Sequence, residues 1–361
     1  MGKDHHDEYD QGTLAKLNLL KLYLIQTLQI FLEAKWATSI NVYDFFCGPG
    51  QDRAGNPGSP RIIIEIVLEQ QQKITAKNKT IRLIFNDLDN NKIELLNTHL
   101  SEIELPGLVS CDLKNLPFDQ LFRFALPGLK ARGSGNFLFI DQFGIKEITK
   151  PIFRDLTSLR GTDTLFFVSS SYFLRFAQQK EFKGLELMDE SEIHLITPSQ
   201  VHRHIVDAYR RWIPDDTKYY LGQFSIKKGS NFYGLVFGSR NLKGLEVFLK
   251  AAWKMDPNTG QANHDMDQDE INEGQLTLEG NEQKPKKLDS FEKELRELLL
   301  TRKIETAQEL YKFTLVSGCL PSHGKQVFSL LVSEGRIPKK TFRLGYNIMN
   351  EDPISLFKEE N

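Results

Sequence analysis

Apolar residues recur at helical spacing near the start of the chain and in short runs after it. Residues 13–34 carry leucines at this spacing with few turn-forming residues, which predicts one long helix. Short buried runs that alternate with helix-like stretches predict an α/β fold built on a doubly wound, mostly parallel sheet. Five such runs follow the helix, at residues 40–46, 80–87, 105–112, 136–141 and 163–170.

The pattern changes after the fifth predicted strand. Residues 196–212 predict a helix that Thr197 caps, with Pro198 at its first position and Gln200 completing a capping box. The next two β-rich runs predict an antiparallel hairpin, and a helix closes the domain. These three elements are expected at residues 219–226, 231–239 and 242–255.

Residues 256–287 differ sharply in composition from the rest. The segment lacks aromatic residues and is rich in acidic ones. It buries too little apolar surface to order itself and is expected to be a flexible linker. Residues 265–274 faintly resemble a calcium loop, but the glycine and the terminal glutamate are misplaced.

The remaining residues predict three helices and a β-wing, a winged-helix arrangement whose third helix faces a partner. Asp289 and Thr306 are expected to cap the first two helices, each with a glutamate three residues later. Ser322 is expected to cap the third helix, which ends at Gly335. The predicted parts are an N-terminal helical lead-in, a Rossmann domain, the linker and the winged helix, at residues 1–40, 41–255, 256–287 and 288–361.

Charge narrows the possible partners. The 46 basic and 48 acidic residues leave a net charge of −2, so any nucleic-acid binding depends on a local patch. Residues 302–343 hold eight basic and three acidic residues, a local charge of +5, which suits either a nucleic acid or a docking protein. The expected contact residues are Lys325, Arg336, Lys339, Lys340 and Arg343.

The cysteine spacing, the histidine positions and the hydrophobic pattern argue against a disulfide-rich, a metal-binding or a membrane-spanning protein. The three cysteines have no close spacing, which excludes a disulfide framework and a CxxC metal site. His202 and His204 lie two apart on a helix, on different faces, so no metal is expected. A polar start and no apolar run of about 18 residues predict a cytoplasmic protein. The 25 phenylalanines indicate a large, strand-rich core.

The most informative stretch is residues 42–50, where a strand ends on Asp44 and enters a turn containing Gly48 and Gly50. Glycines there let a ligand approach the backbone closely, at the strand ends where such sheets bind cofactors. No third glycine follows at the dinucleotide spacing. An acid before the glycines suits an amino-bearing cationic ligand such as S-adenosylmethionine better than a pyrophosphate.

Three later aspartates follow the same logic at successive strand ends. Asp87 is expected to accept hydrogen bonds from ribose hydroxyls, with Asp89 as the alternative or as a helix N-cap. Asp112 is expected to meet an adenine amino group. Asp141 is expected to face the methyl group and to bind or deprotonate an acceptor amine or hydroxyl. Cys47 lies inside the cofactor turn and is interpreted as a packing residue.

These motifs resemble the three-Cys-motif partner proteins. The resemblance covers nearly the whole chain and the winged-helix tail. It implies a class I methyltransferase-like Rossmann fold, S-adenosylmethionine as cofactor, and a neighbouring radical-SAM-like protein that carries the three cysteines. The residues that carry the resemblance are 44–50, 58–60, 139–144, 234–239 and 253–257, with Thr13, Lys16 and Tyr23 on the leading helix.

One residue departs from the family pattern. Gln142 follows the fourth-strand acid where the family tends to have proline. The sequence therefore leaves two hypotheses: a methyltransferase that acts with a nucleic acid or the partner protein, or a non-catalytic adaptor that recruits them through its tail. A defence-type nuclease is disfavoured, because no metal-binding carboxylate cluster is recognisable.

Overall fold

The computed structural model describes residues 8–142, 144–176, 196–270 and 284–357. The chain divides into two compact units, Met1–Asn241 and Leu242–Asn361. The predicted Rossmann domain ended at residue 255, whereas the helix at 242–255 groups with the C-terminal unit. In the described residues, no helix is long and apolar enough to cross a membrane.

The N-terminal unit is built on one seven-stranded sheet. Its strand order is β3-β2-β1-β4-β5-β7-β6, and only β7 runs antiparallel to its two neighbours. The strands are β1 Ser39–Asp44, β2 Thr80–Asn86, β3 Val109–Lys114, β4 Ser134–Ile140, β5 Thr162–Val168, β6 Tyr220–Lys228 and β7 Asn231–Ser239. The prediction of a doubly wound, mostly parallel sheet with a terminal hairpin is confirmed.

Helices connect these strands. Within the described residues they are α1 Gln11–Glu33, α2 Ser59–Glu69, α3 Gln71–Lys77, α4 Asn90–Leu100, α5 Phe118–Leu129, α6 Lys150–Ser158, α7 Ser170–Phe176 and α8 Val201–Trp212. The start of α8 corrects a prediction. Thr197 donates its hydroxyl proton to the Gln200 side chain, 3.1 Å away, instead of capping a helix, and residues 198–200 form a turn.

The core of the sheet is rich in phenylalanine. Phenylalanines that lie on β2, β4 and β5, or directly follow β1, are fully buried; they are at positions 45, 85, 137, 139 and 166.

The long helix α1 is anchored to the sheet by a buried polar pair. Tyr23 donates its hydroxyl proton to Asp163 on β5 across 2.6 Å, and both side chains are buried. At its start, Asp10 accepts a hydrogen bond from the Thr13 backbone and so caps the helix. These contacts fix the position of α1 and of the side chains that it carries.

The C-terminal unit contains α9 Leu242–Met255, α10 Lys286–Leu300, α11 Ala307–Val316, α12 Pro321–Ser333 and a 3-10 helix at Tyr346–Asn350. The predicted capping box is confirmed at Thr306 and Glu309. Asp289 is no cap, because α10 begins at Lys286 and Asp289 instead accepts a hydrogen bond from Lys293. Ser322 is no cap either, because Leu320 holds that position and its backbone N–H donates to His323.

Two further predictions for this unit differ from the structure. Residues 336–345 form a loop without a strand, and Thr306 forms an isolated β-bridge with Ser355. The expected linker is ordered in its described first half, since Asp256 accepts hydrogen bonds from four downstream residues, and Ala262 and Met266 are buried. Residues 271–283 lie outside the described residues.

Candidate cofactor and acceptor site

Three carboxylates lie at the carboxyl ends of three neighbouring strands. Asp44 is the last residue of β1, Asp87 directly follows β2, and Asp141 directly follows β4. Strand order reverses between β1 and β4, and ligands of doubly wound sheets bind at such a switch point. The sheet therefore collects these predicted site residues at the edge where a cofactor is expected.

Asp44 is the most deeply buried of the three. Its Oδ1 accepts a hydrogen bond from the Phe46 backbone at 3.3 Å, while its buried Oδ2 has no partner among the residues that the structure describes. Burial raises the pKa of Asp44 to about 7; the nearby Ser59 side chain lowers the pKa in part, and the charge of Asp141 adds to the increase. A carboxylate oxygen without a partner is costly inside a protein, so this atom is suited to receive a donor from a ligand.

The turn after Asp44 is held in a conformation that requires glycine. Gly48 and Gly50 have φ values of 61° and 85°, in the left-handed region. A Cβ at Gly50 would lie 2.6 Å from the Leu96 side chain, whereas a Cβ at Gly48 would meet no atom within 4 Å. Gly50 is thus required for packing, and Gly48 leaves open space beside the backbone.

His99 on α4 fixes the same turn, and sequence reasoning missed it. Its Nδ1 lies 2.7 Å from the Pro49 carbonyl, which only accepts, so Nδ1 carries the proton. Its Nε2 then accepts a hydrogen bond from Gln51 at 3.1 Å. The two partners lie about fifty positions away in the sequence, so no local pattern could reveal the contact.

Asp87 supports the turn from β2. Its carboxylate accepts hydrogen bonds from the Gly48 N–H at 3.1 Å and the Asp89 N–H at 2.9 Å, and Lys92 lies 3.7 Å away. Asp89 itself accepts from the Asn91 backbone and caps α4, in agreement with the N-cap interpretation. Asp87 is thus built into the wall of the site.

Asp112 is not at a strand end. β3 continues to Lys114, because hydrogen bonding to β2 extends two residues beyond Asp112. The Asp112 side chain is exposed on the strand. Beyond the true end, Asn115 donates to the carbonyls of Asp87 and Leu88, both at 2.9 Å. The expected adenine contact by Asp112 stays a prediction.

Asp141 forms an ion pair with Lys16 of α1, whose side chain is 13% exposed. The Lys16 ammonium also lies 5.1 Å from the centre of the Phe167 ring. Lys16 and Asp141 are 125 positions apart in the sequence, so hydrophobic periodicity could not reveal their contact. Only the family resemblance had drawn attention to Lys16.

Tyr9 is a second residue that sequence reasoning missed. Its backbone N–H donates to Asp52 at 2.8 Å, and its hydroxyl oxygen would lie 2.8 Å from a Cβ placed on Gly58. Gly58 in turn donates its N–H to the Gly50 carbonyl. Burial, followed by the charges of Asp52, Asp141 and Asp44, raises the pKa of Tyr9 to about 12. The neutral phenol of Tyr9 therefore lies beside the turn, close enough to Asp44 and Asp141 for their charges to act on it.

The Gln142 side chain joins two backbone segments by hydrogen bonds. It is 1% exposed, donates to the Phe167 carbonyl at 3.0 Å and accepts from the Glu147 N–H at 2.9 Å. Both functional groups of the amide are thus used within the protein, which explains why glutamine stands here. Phe143 lies outside the described residues.

The cysteines are poor nucleophiles. Burial raises the pKa of Cys47 well above its usual range, and Asp44 and Asp87 add to this. Burial likewise raises the pKa of Cys111 and of Cys319 to about 11 each. The thiols stay protonated near neutral pH. Within the described residues, no group of three or more His, Cys, Asp or Glu side chains could hold a metal ion.

The predicted basic contact residues lie on α12 and the loop after it. Arg336, Lys339 and Arg343 are exposed, and Lys340 is partly buried. Lys325 packs over the Phe342 ring at 3.6 Å, and burial lowers its pKa. Glu334 pairs with Arg296 of α10 through two contacts of 2.6 and 3.0 Å, which offsets one of the segment's negative charges.

The strand order, with an antiparallel seventh strand inserted between the fifth and sixth, defines a class I methyltransferase-like fold. Residues 264–340 are similar to a family model described as the GMT-like winged helix-turn-helix (wHTH) domain. Among curated proteins, no sequence matches the chain.

Two similar solved structures are the O-methyltransferase TomG from Streptomyces achromogenes, involved in tomaymycin synthesis and in complex with SAM, and an O-methyltransferase from Bacillus cereus in complex with SAH. Their sequences are 12% and 13% identical to this chain. The matches cover 64% and 65% of this chain and 91% and 83% of the other chains, with TM-scores of 0.34 and 0.35. The fold assignment rests on the strand order and directions.

Proposed function

We propose that this chain is a cytoplasmic, S-adenosylmethionine-dependent methyltransferase-like protein. The observation that carries the proposal is the buried Asp44 carboxylate, whose Oδ2 accepts no hydrogen bond from the described residues at the switch point of the sheet. The amino group of the cofactor's methionine portion is a suitable donor for this oxygen. When bound, the cofactor supplies an electrophilic methyl group.

The other cofactor contacts follow the same edge of the sheet. Gly48 and Gly50 would let the cofactor approach the backbone, and the open space beside Gly48 supports this. Asp87 would accept hydrogen bonds from the ribose hydroxyls, since a carboxylate has about four acceptor positions and two backbone donors use only part of them. Asp112 remains the proposed contact for the adenine amino group.

Substituting the two glycines should separate folding from cofactor binding. Gly50→Ala combines a strained φ with a clash against Leu96, so we expect a loss of about 2–5 kcal/mol in the free energy of unfolding. Gly48→Ala adds only backbone strain, about 1–2 kcal/mol, but places a methyl group where the cofactor would lie.

Thermal melting and cofactor titration of both variants check this prediction. Gly48→Ala should fold and bind S-adenosylmethionine at least tenfold more weakly, a change of about 1.4 kcal/mol. Unchanged affinity in Gly48→Ala would contradict the placement of the cofactor beside this turn.

Asp141 is the proposed acceptor-facing residue. Its carboxylate would orient or deprotonate the acceptor nucleophile, while Lys16 holds it in place and Tyr9 borders the same space. Methyl transfer from labelled cofactor to tRNA, DNA or a co-purified protein tests this role. Asp141→Asn should abolish transfer and leave cofactor affinity within about twofold, because the proposed contact is to the acceptor only.

A non-catalytic adaptor is the second candidate, and Gln142 favours it. Its amide groups are used internally, so they are not presented to a target nitrogen as in Asp-Pro-Pro-Tyr motifs. An adaptor would bind the cofactor and partner without turnover. Any transfer of label that depends on Asp141 would overturn this alternative.

The C-terminal unit is proposed to dock a nucleic acid through Lys325, Arg336, Lys339, Lys340 and Arg343. We expect the double variant Lys339→Glu/Lys340→Glu to weaken binding and to reduce the slope of log affinity against log salt by about 2, if each lysine neutralises one phosphate. Fluorescence anisotropy across a salt series measures both, with Lys254→Glu as a charge-reversed control outside the segment. An unchanged salt slope would indicate protein docking instead.

The resemblance to the three-Cys-motif partner proteins supplies the protein candidate for that docking. The proposed partner is a radical-SAM-like protein whose own three cysteines hold a cluster, consistent with the protonated, dispersed cysteines of this chain. Co-purification with such a partner, compared between the wild type and the Lys339→Glu/Lys340→Glu variant, tests this proposal. Equal recovery of the partner with both proteins would exclude docking through the two lysines.

A further inference from the structure

A cavity of about 620 Å³ lies within the C-terminal unit, and the proposed methyl-transfer chemistry does not use it. Its volume falls within the range of small-molecule sites, about 300–1,000 Å³. It is bordered by one face of α9, the start of α12 and the loop that leads into the 3-10 helix. All of its lining residues belong to this unit.

The α9 wall presents two lysines fixed by one buried carboxylate. Glu246 is 4% exposed and pairs with Lys250 and, at 3.5 Å, with Lys243. Tyr311 donates its hydroxyl proton to the same carboxylate at 2.6 Å. Lys243 and Lys250 lie three positions before and four positions after Glu246 on α9, so both lysine side chains are held on the cavity side of the helix. This arrangement orders two ammonium groups that would otherwise move freely in solvent.

The groups around Glu246 keep its carboxylate ionised. Burial alone would raise the pKa of Glu246, but Lys250, Tyr311 and Lys243 more than offset this and lower it. Glu246 therefore stays ionised across the neutral range and keeps both lysines in place. Losing it would release them.

The loop and the 3-10 helix add a third cation and two aromatic rings to the lining. Arg343 and Glu351 line the cavity together with Phe342 and Tyr346, and the Lys243 ammonium lies 5.9 Å from the Tyr346 ring centre. Arginine and lysine bind phosphate, and aromatic rings stack on nucleobases. The start of α12, a helix of 13 residues, also lines the cavity and favours negative charge.

We infer that this cavity binds a phosphorylated nucleoside, with the phosphate at Arg343 and the two lysines and the base on Tyr346. The chemistry is shared by a free nucleotide and by the terminal nucleotide of a single strand. Inorganic phosphate alone would leave the Tyr346 ring unused. The inference goes beyond the proposed methyl transfer and does not depend on it.

Titration calorimetry of the full chain tests the inference with GMP, guanosine and inorganic phosphate, in the presence of excess S-adenosylhomocysteine. We expect GMP to bind at least about tenfold more tightly than guanosine or phosphate, because each lacks one of the two groups that the site contacts. Arg343→Ala and Tyr346→Ala should each weaken GMP binding about tenfold, whereas Tyr346→Phe should retain it. Lys312→Ala, outside the cavity, is the control.

Two further arms identify the source and separate this inference from the cofactor proposal. A terminally phosphorylated oligonucleotide that binds more tightly than its unphosphorylated form identifies a strand end, whereas binding of GMP alone identifies a free nucleotide. Asp44→Asn should leave GMP affinity unchanged. No binding of GMP or of the oligonucleotides, or GMP affinity that survives both Arg343→Ala and Tyr346→Ala, would overturn the inference.

Discussion

Asp44→Asn is expected to weaken S-adenosylmethionine binding and to stabilise the free protein at the same time. A hydrogen bond to a charged group contributes about 1.5–3 kcal/mol, so its loss corresponds to roughly a 10- to 150-fold weaker affinity. The buried Oδ2 has no partner among the described residues of the free chain, so replacing the carboxylate removes a desolvation penalty there.

The pH dependence of stability follows from the same residue. Burial raises the pKa of Asp44 to about 7 from the ordinary value of 3.8 in the unfolded chain. Between these values the folded chain keeps a proton that the unfolded chain has lost, so stability falls as pH rises from about 4 to about 7. Above that window the penalty is complete, at most about 4 kcal/mol.

Melting curves at pH 5 and pH 8 measure this effect. Asp44→Asn should melt a few degrees above the wild type at pH 8, and the difference should shrink at pH 5. Asp207→Asn, a change of the same kind at a partly exposed position on α8, removes only a surface ion pair with Arg210, which contributes at most about 1 kcal/mol. It should therefore change the melting temperature little and leave the cofactor affinity unchanged. A destabilised Asp44→Asn variant at pH 8 would mean that the carboxylate has a structural role instead.

Tyr23→Phe is expected to have the second largest effect, on stability. The variant removes one hydroxyl group and leaves the buried Asp163 carboxylate without its 2.6 Å donor. We expect a loss of about 1.5–3 kcal/mol, or roughly 3–12 °C in the melting temperature of a unit of this size. Since Tyr23 anchors α1, the position of Lys16 should also become less defined.

The pH dependence of this loss has a definite sign. Burial raises the pKa of Asp163, and the hydrogen bonds from Ser239 and Tyr23 limit the increase. Removing the Tyr23 hydroxyl raises that pKa further, so the deficit relative to the wild type should be larger at pH 8 than at pH 5. Tyr220→Phe on the edge strand, with a partly exposed ring, is the matched control. Equal melting of Tyr23→Phe and wild type would show that the pair does not anchor α1.

The sheet and the strand-end aspartates could be predicted because their signals are local. A buried strand leaves a short apolar run, and the aspartates at positions 44, 87 and 141 lie at or directly after their strand ends. Asp112 shows the limit of this logic, since pairing with the neighbouring strand, and not residue type, decides where β3 ends.

The rest of the site depends on contacts between distant positions. Lys16 reaches Asp141, and His99 reaches Pro49, only after the helices have packed on the sheet. Helix starts failed for a related reason: Pro285 and Leu320 take the cap positions that side-chain preference had assigned to Asp289 and Ser322. Local propensity predicts that a helix is present better than where it begins.

Direct titration of S-adenosylmethionine into the full chain, beside Asp44→Asn and Asp207→Asn, tests the central claim most directly. The wild type and Asp207→Asn should show saturable binding at one site, and Asp44→Asn should bind roughly 10- to 150-fold more weakly. No binding by the wild type, or equal binding by Asp44→Asn, would contradict the cofactor site proposed at the end of β1.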